Sequence, residues 1–299
     1  MFQDGGTGQE GVRGWIVGYA NGASTTINKC GLGGSYGNGT PTLELSSGNY
    51  SDYIYGSSSK NVTKGTGDNA NYYWDGTIPS ESPFPKRLAI IGDSISTFGG
   101  IIPSDHKAYY PKSDCDVSNW TQTYWGRLIS DYWHSTLDVN TSWSGSSVAS
   151  GKDGEERMPF VDDSRLGLLT NPDCVILFGG TNDAIASNGI GLGEFSYDTP
   201  LASINHYKRF RDAYIYVIKY IQNKFPSAKI ICIIGTDVSG DYGNSVEAIA
   251  QHYSLPYVDF RGEKKVAGKV TIYNGSHPDA AGHAYKAQKI YNETLHLFQ

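Results

Sequence analysis

Basic residues never cluster in this sequence: 24 Lys and Arg stand against 30 Asp and Glu, a formal net charge of −6. Without a basic stripe there is no electrostatic footprint for duplex nucleic acid or an anionic membrane surface. Long apolar runs are missing too. Ile230–Ile234 is among the longest, far short of the roughly 20 residues a membrane helix needs. Histidine is absent from the first 80 residues, so chemistry that needs imidazole must lie beyond them. The four cysteines, Cys30, Cys115, Cys174 and Cys232, form no C-x-x-C pair, which argues against a zinc knuckle or a thioredoxin-like motif. No metal and no cofactor are expected. Cys174 and Cys232 border or enter apolar runs and read as buried thiols; a Cys30–Cys115 pair stays open. Met1 is not followed by a basic segment and an apolar stretch, so no signal peptide is visible.

What is present divides in two. Residues 1–80 hold 17 of the 37 Gly but only 10 of the 54 charged residues. Segments such as Gly14–Tyr19, Thr40–Leu45 and Tyr53–Tyr55 read as short strands between turn signals such as Asn21-Gly22 and Asn38-Gly39. Residues 1–76 therefore read as a small all-β module, incomplete at its N-terminus as an open alternative. Pro79, Pro83 and Pro85 mark residues 77–85 as an extended linker. From residue 86 to 299 the pattern changes. Apolar runs at Leu88–Ile91, Leu137–Thr141, Val175–Phe178, Ile230–Ile234 and Tyr257–Val258 alternate with helical stretches. Continuous apolar runs signal parallel strands covered on both faces. Phe210, Tyr214, Val217, Ile221 and Phe225 form one helical stripe. Helices are expected at Trp120–Tyr132, Asn244–Tyr253 and Pro278–Leu297, the last with Pro in its first turn. The fold class is a three-layer α/β/α sandwich with a five-stranded parallel sheet, flavodoxin-like.

Ligands in such sheets bind at the carboxyl ends of the strands, and those ends carry unusual polar residues. The first strand ends Gly92-Asp93-Ser94, the second runs into Ser144-Gly145-Ser146, and the third ends Gly180-Thr181-Asn182-Asp183. The last helix is preceded by Asn274-Gly275-Ser276-His277. Gly-Asp-Ser alone is a common tripeptide, read as readily as a turn whose Ser caps a helix. The four together, in this order and context, resemble the SGNH (GDSL-like) hydrolase superfamily over roughly residues 86–299, in its carbohydrate-esterase-like branch.

Acyl transfer needs a nucleophile, a base to take its proton, and donors aimed at the developing oxyanion. The resemblance implies Ser94 as nucleophile and His277 as base. It also implies an oxyanion hole from Ser94, Gly145 and Asn182, with Asp93 and Asp183 in support. One position departs from the pattern: Asn274 stands where an Asp usually orients the His. In the serine-protease triad an Asp-to-Asn change costs about 10⁴ in turnover. His277 is then oriented by a backbone carbonyl, by Asn274 itself, or by another carboxylate, with Asp259, Glu263 and Asp279 nearest in sequence. His283 reads as a packing or surface residue.

Tyr109-Tyr110, Phe195 and Tyr197 lie in loops after the strand ends and read as aromatic platforms that suit sugar rings better than long acyl chains. The expected function is a serine esterase removing short acyl groups, acetyl above all, from carbohydrate. The alternatives are a lipid or thioester hydrolase, or a non-catalytic glycan-binding protein on the same scaffold. A small-molecule or glycan ester is the expected partner. A secreted or periplasmic bacterial protein is the expected setting.

Overall fold

A computed structural model describes residues 84–153, 158–238, 240–263 and 277–298, the backbone of Ile272–Asn274, and six short strands within the first 76 residues. The chain divides into two compact units, residues 1–83 and 84–298.

In the first unit the strands are β1 (Ile16–Val17), β2 (Thr25–Thr26), β3 (Leu32–Gly33), β4 (Thr42–Glu44), β5 (Lys60–Lys64) and β6 (Asn71–Gly76). Four of them form a sheet in the order β2-β4-β6-β5, and β1 pairs with β3. The segments expected at Gly14–Tyr19 and Thr40–Leu45 coincide with β1 and β4. The one expected at Tyr53–Tyr55 lies outside the described residues.

The second unit is built on β7 (Arg87–Gly92), β8 (Thr136–Asn140), β9 (Cys174–Phe178), β10 (Lys229–Ile234) and β11 (Tyr257–Asp259). All pair in parallel, in the order β11-β10-β9-β7-β8. Fixing a residue's backbone costs about 1–2 kcal/mol, and burying a Val, Leu, Ile or Phe side chain contributes about 1.5–3 kcal/mol. The apolar run of β9 and that of β10 from Ile230 onward, all buried, therefore hold the centre of the sheet in place. Cys174 and Cys232 lie within them, and burial pushes the Cys232 thiol up to about 12. Cys115, half-buried, is a free thiol, and Cys30 lies outside the described residues.

Helices α1 (Tyr124–Arg127), α2 (Asp163–Leu166), α3 (Phe210–Lys224), α4 (Gly240–His252) and α5 (Ala280–Thr294) complete the unit. α1 packs on α5, and α3 on α4, as the two helical layers. Several boundaries differ from the sequence reading, and the helix expected at Asn244–Tyr253 already begins at Gly240. The stretch at Trp120–Tyr132 is not one helix but a 3₁₀ turn (Trp120–Gln122), α1, and a wide π turn (Leu128–Trp133). Ser130 Oγ donates to Gly126 O at 2.9 Å, competing for a carbonyl that a regular helix would use. α5 begins at Ala280 with Asp279 as its cap, accepting from Gly282 N at 2.8 Å. Pro278 sits ahead of it in a two-stranded ladder formed by β12 (Ile272–Asn274) and β13 (His277–Pro278). The packed unit also starts at Phe84, which buries its ring against Tyr291 and Phe298; the last two linker residues belong to it.

Candidate active site

After β7 the chain moves outward to β8, then returns to the other side of β7 to form β9. That reversal opens a crevice at the carboxyl ends of β7 and β9, where open α/β sheets place their ligands. Ser94 opens a single 3₁₀ turn at the end of β7 (Ser94–Ser96). Asp93 caps it: its Oδ1 accepts from Ile95 N at 3.0 Å, and its own N–H donates to Phe178 O of β9 at 3.3 Å. Burial pushes the Asp93 carboxyl up to about 6. Its neighbours are buried while Ser94 itself is only half-buried, so the turn offers one hydroxyl to the crevice. The Ser94 N–H stands at the first position of a helical turn, where no carbonyl of the turn can accept it.

The loop after β8 carries Gly145, whose φ of +86° belongs to the left-handed region that favours glycine. Lys152 Nζ donates to Gly145 O at 2.9 Å. Asn182 Nδ2 donates one hydrogen to Ser146 O at 2.9 Å, which fixes the amide and leaves its second N–H for another acceptor. Asp183 is fully buried, and both its oxygens accept from the backbone of Val148 and Ala149 at 2.8–3.1 Å. Burial nonetheless pushes its carboxyl up to about 7. It braces the loop that presents Gly145.

His277 reaches the crevice from β13, and its Nε2 lies 2.7 Å from Ser94 Oγ. Asn274 is its backbone partner across the ladder; the Asn274 side chain lies outside the described residues. Two of the carboxylates near it in sequence are engaged elsewhere. Asp259 holds Arg261, and Glu263 holds Lys289. Asp279 caps α5. The imidazole lies flat on the Tyr109 ring, with centroids 3.5 Å apart and planes 3° apart. Tyr110 is fully buried and donates its hydroxyl to Pro278 O at 2.6 Å. Tyr109 and Tyr110 are thus not a sugar platform: both rings are packed against the His277 segment. A hydroxyl, an imidazole on hydrogen-bond terms with it and amide donors on adjoining loops are the parts of acyl-transfer chemistry.

Residues 86–293 match the GDSL-like lipase/acylhydrolase family. The chain belongs to that family. Among solved structures, a protein described as a GDSL-like lipase from Bacteroides uniformis is 26% identical, with a TM-score of 0.57 over 69% of this chain and 94% of that one. Another so described, from Bacteroides ovatus, is 25% identical, with a TM-score of 0.59 over 69% and 96%. A family two carbohydrate esterase from Clostridium thermocellum, in complex with cellohexaose, is 18% identical, with a TM-score of 0.49 over 78% and 73%. No curated protein is similar enough to match. Among the described residues, no helix is long and apolar enough to cross a membrane, and no group of three or more His, Cys, Asp or Glu could hold a metal ion.

One residue of this GDSL-like hydrolase escaped the sequence reading. Arg165, on α2, is fully buried. Its Nε donates to Thr141 O at 2.6 Å, its Nη1 to Ser146 Oγ at 3.0 Å and Met158 O at 2.9 Å, and its Nη2 to Gly92 O. Burial pulls its guanidinium down to about 9, so it stays protonated at neutral pH. One fork joins the carboxyl ends of β7 and β8 to the loop behind Gly145. His283 is likewise internal. Its Nδ1 accepts from Tyr124 N at 3.1 Å, and burial holds its pKa well below the ordinary range. It is a packing residue.

Proposed function

We propose that this family member is a serine esterase for short acyl esters on carbohydrate. Ser94 is its nucleophile and His277 its general base. The observation that carries this is the 2.7 Å approach of His277 Nε2 to Ser94 Oγ at the switch point of the sheet. His277 takes the hydroxyl proton as Ser94 Oγ attacks the acyl carbon, then returns it to the departing alcohol oxygen. The Ser94 and Gly145 N–H groups and the second N–H of Asn182 receive the carbonyl oxygen as it gains negative charge. Water, deprotonated by His277, then releases the acid. Asp93 and Asp183 hold the donor loops, and residues 84–298 form the hydrolase unit.

Two features support a short acyl group and a sugar. The exposed large hydrophobic residues among those described are few, Leu168, Ile185, Phe195 and Tyr207, which gives little apolar surface for a long acyl chain. Tyr207, 61% exposed, lies against Gly151, where a Cβ would come within 2.3 Å of the ring. Its ring stands beside the loop that continues from Gly145 and offers a face on which a pyranose could stack.

The test is hydrolysis of aryl esters from acetyl to octanoyl, and of an acetylated xylan, by the full chain. Activity is expected to be highest on acetyl and lost by about 10³-fold or more in Ser94→Ala, in His277→Ala and in the double variant alike, because the pair acts as one unit. A preference for octanoyl would turn the reading to a lipid or thioester hydrolase. Most of the activity surviving in Ser94→Ala would end it.

A further inference from the structure

Ser94 and His277 come from segments 183 residues apart, and something must hold the imidazole plane where Nε2 meets the hydroxyl. The loop that bridges them begins just after the nucleophile turn. Thr97 Oγ1 donates to Ser94 O at 2.9 Å and accepts from Tyr109 N at 2.8 Å. Gly99 N donates to Tyr110 O at 2.7 Å. The backbone of Tyr109-Tyr110 is therefore tied to the turn that carries Ser94, while the two side chains reach the other partner. Tyr110 fixes the residue after His277 through its bond to Pro278 O, and Tyr109 covers the imidazole face.

We propose that Tyr109 is a positioning residue for His277, its ring face holding the imidazole in the plane that points Nε2 at Ser94. This rests on the esterase reading above. The side-chain torsion that turns the imidazole runs along a bond lying in the ring plane. Any setting other than the observed one or its 180° flip would drive the ring into Tyr109. The stack acts in this way whichever group accepts the other imidazole N–H.

The geometry also discriminates between charge states. Two neutral aromatic rings prefer offset or edge-on contact to a close face-to-face sandwich. A cation over a phenol face is attracted by its negative quadrupole. The parallel 3.5 Å stack thus suits the imidazolium formed as Ser94 gives up its proton better than the neutral ring of the resting state. Stabilisation present only in the transition state raises turnover rather than affinity. Lys112 Nζ lies 4.3 Å from the centroid of the same ring, over the face the stack leaves open. The Lys112 cation is part of the same aromatic stack and opposes a second positive charge on it, so the attraction left for the imidazolium is the part the Tyr109 variants measure. Tyr110, His283, Asp279 and Asp93 are the other titratable groups around the imidazole segment.

The experiment compares the full chain with Tyr109→Phe, Tyr109→Leu and Tyr109→Trp. The readouts are steady-state hydrolysis of an aryl acetate and the rate of Ser94 labelling by a fluorophosphonate, which uses the same base without an ester. Tyr109→Leu is expected to lower kcat by about 10- to 100-fold, part of the roughly 10²–10⁴ that a positioned base supplies, with KM held within about twofold. Labelling should slow in parallel. Tyr109→Phe keeps the face and should stay within about threefold of the parent on both readouts. Tyr109→Leu as fast as the parent overturns the proposal, as does a change confined to KM, or a loss in Tyr109→Phe equal to that in Tyr109→Leu. Should Tyr109→Leu fail to fold, Tyr109→Trp decides, since an aromatic face should preserve kcat and its loss overturns the assignment. A parent that neither cleaves the acetate nor labels at Ser94 refutes the esterase reading. An active parent matched by Tyr109→Leu refutes Tyr109 alone.

Discussion

The two sides of the crevice are held by different physics. On the Ser94 side the frame is backbone and buried charge: Asp93 caps the turn, Asp183 grips two amides, and Arg165 gathers four acceptors. On the His277 side it is rings and a short ladder, with Tyr109 beneath the imidazole and Tyr110 on the carbonyl that follows. Charged hydrogen bonds have fixed directions and suit donors that must meet an oxyanion within a few tenths of an ångström. An aromatic face restrains a plane and leaves sliding within it. Such a restraint suits the role proposed for His277, a base in both attack and departure.

If that contrast is right, the Ser94 side should be the less forgiving. Arg165→Met strips donors from buried carbonyls and should lower stability in urea by about 3–5 kcal/mol. Arg165→Lys should recover little, because a point charge cannot replace a planar fork bonded to four oxygens. A Lys variant as stable as the parent would break the comparison.

Asp183→Asn is the next test. An amide puts an NH2 group where Oδ2 now accepts from Val148 N at 2.8 Å, and about 1–3 kcal/mol should be lost from that donor-against-donor contact. Its pH dependence sharpens the point. The folded carboxyl titrates near 7, above its ordinary value of 3.8, so the stability it contributes is complete below about pH 4 and declines as pH rises through 7. The deficit of Asp183→Asn should accordingly be larger at pH 5 than at pH 8. Urea titrations at the two pH values measure it, and an equal or reversed deficit would contradict the buried-acid assignment.

The smallest effect is expected across the crevice. Asn274→Ala leaves the backbone pairing with His277 and the Tyr109 stack in place, and should lower kcat on an aryl acetate by about tenfold or less. A loss approaching the roughly 10³–10⁴ seen when triad geometry fails would give the Asn274 side chain the orienting task and the His277 side a directional bond.

The same contrast explains what could be read from sequence. Strand ends are local events, so Ser94, Gly145, Asn182, Asp183 and His277 showed as short motifs behind apolar runs, and the five strands fell where those runs predict. Arg165 gave no such signal, because its partner Gly92 is 73 residues away. Nor did Tyr110, 168 residues from Pro278. Composition made the two tyrosines a solvent-facing platform; only the folded chain turns them onto the base. The broken helix at Trp120–Trp133 was hidden for another reason. Its apolar spacing is helical throughout, and nothing in that spacing marks the wide turn, where a serine hydroxyl bonds Gly126 O.

The Arg165 fork has a consequence for how such an enzyme can diversify. Through Ser146 and Thr141 on one side and its own helix on the other, it pins both ends of the 146–165 segment to the sheet. A loop closed on a fixed frame gains length cheaply, since closure entropy grows only with the logarithm of its size. Insertions between those ends can therefore reshape the surface beside the crevice while the turn at Gly145 stays in register.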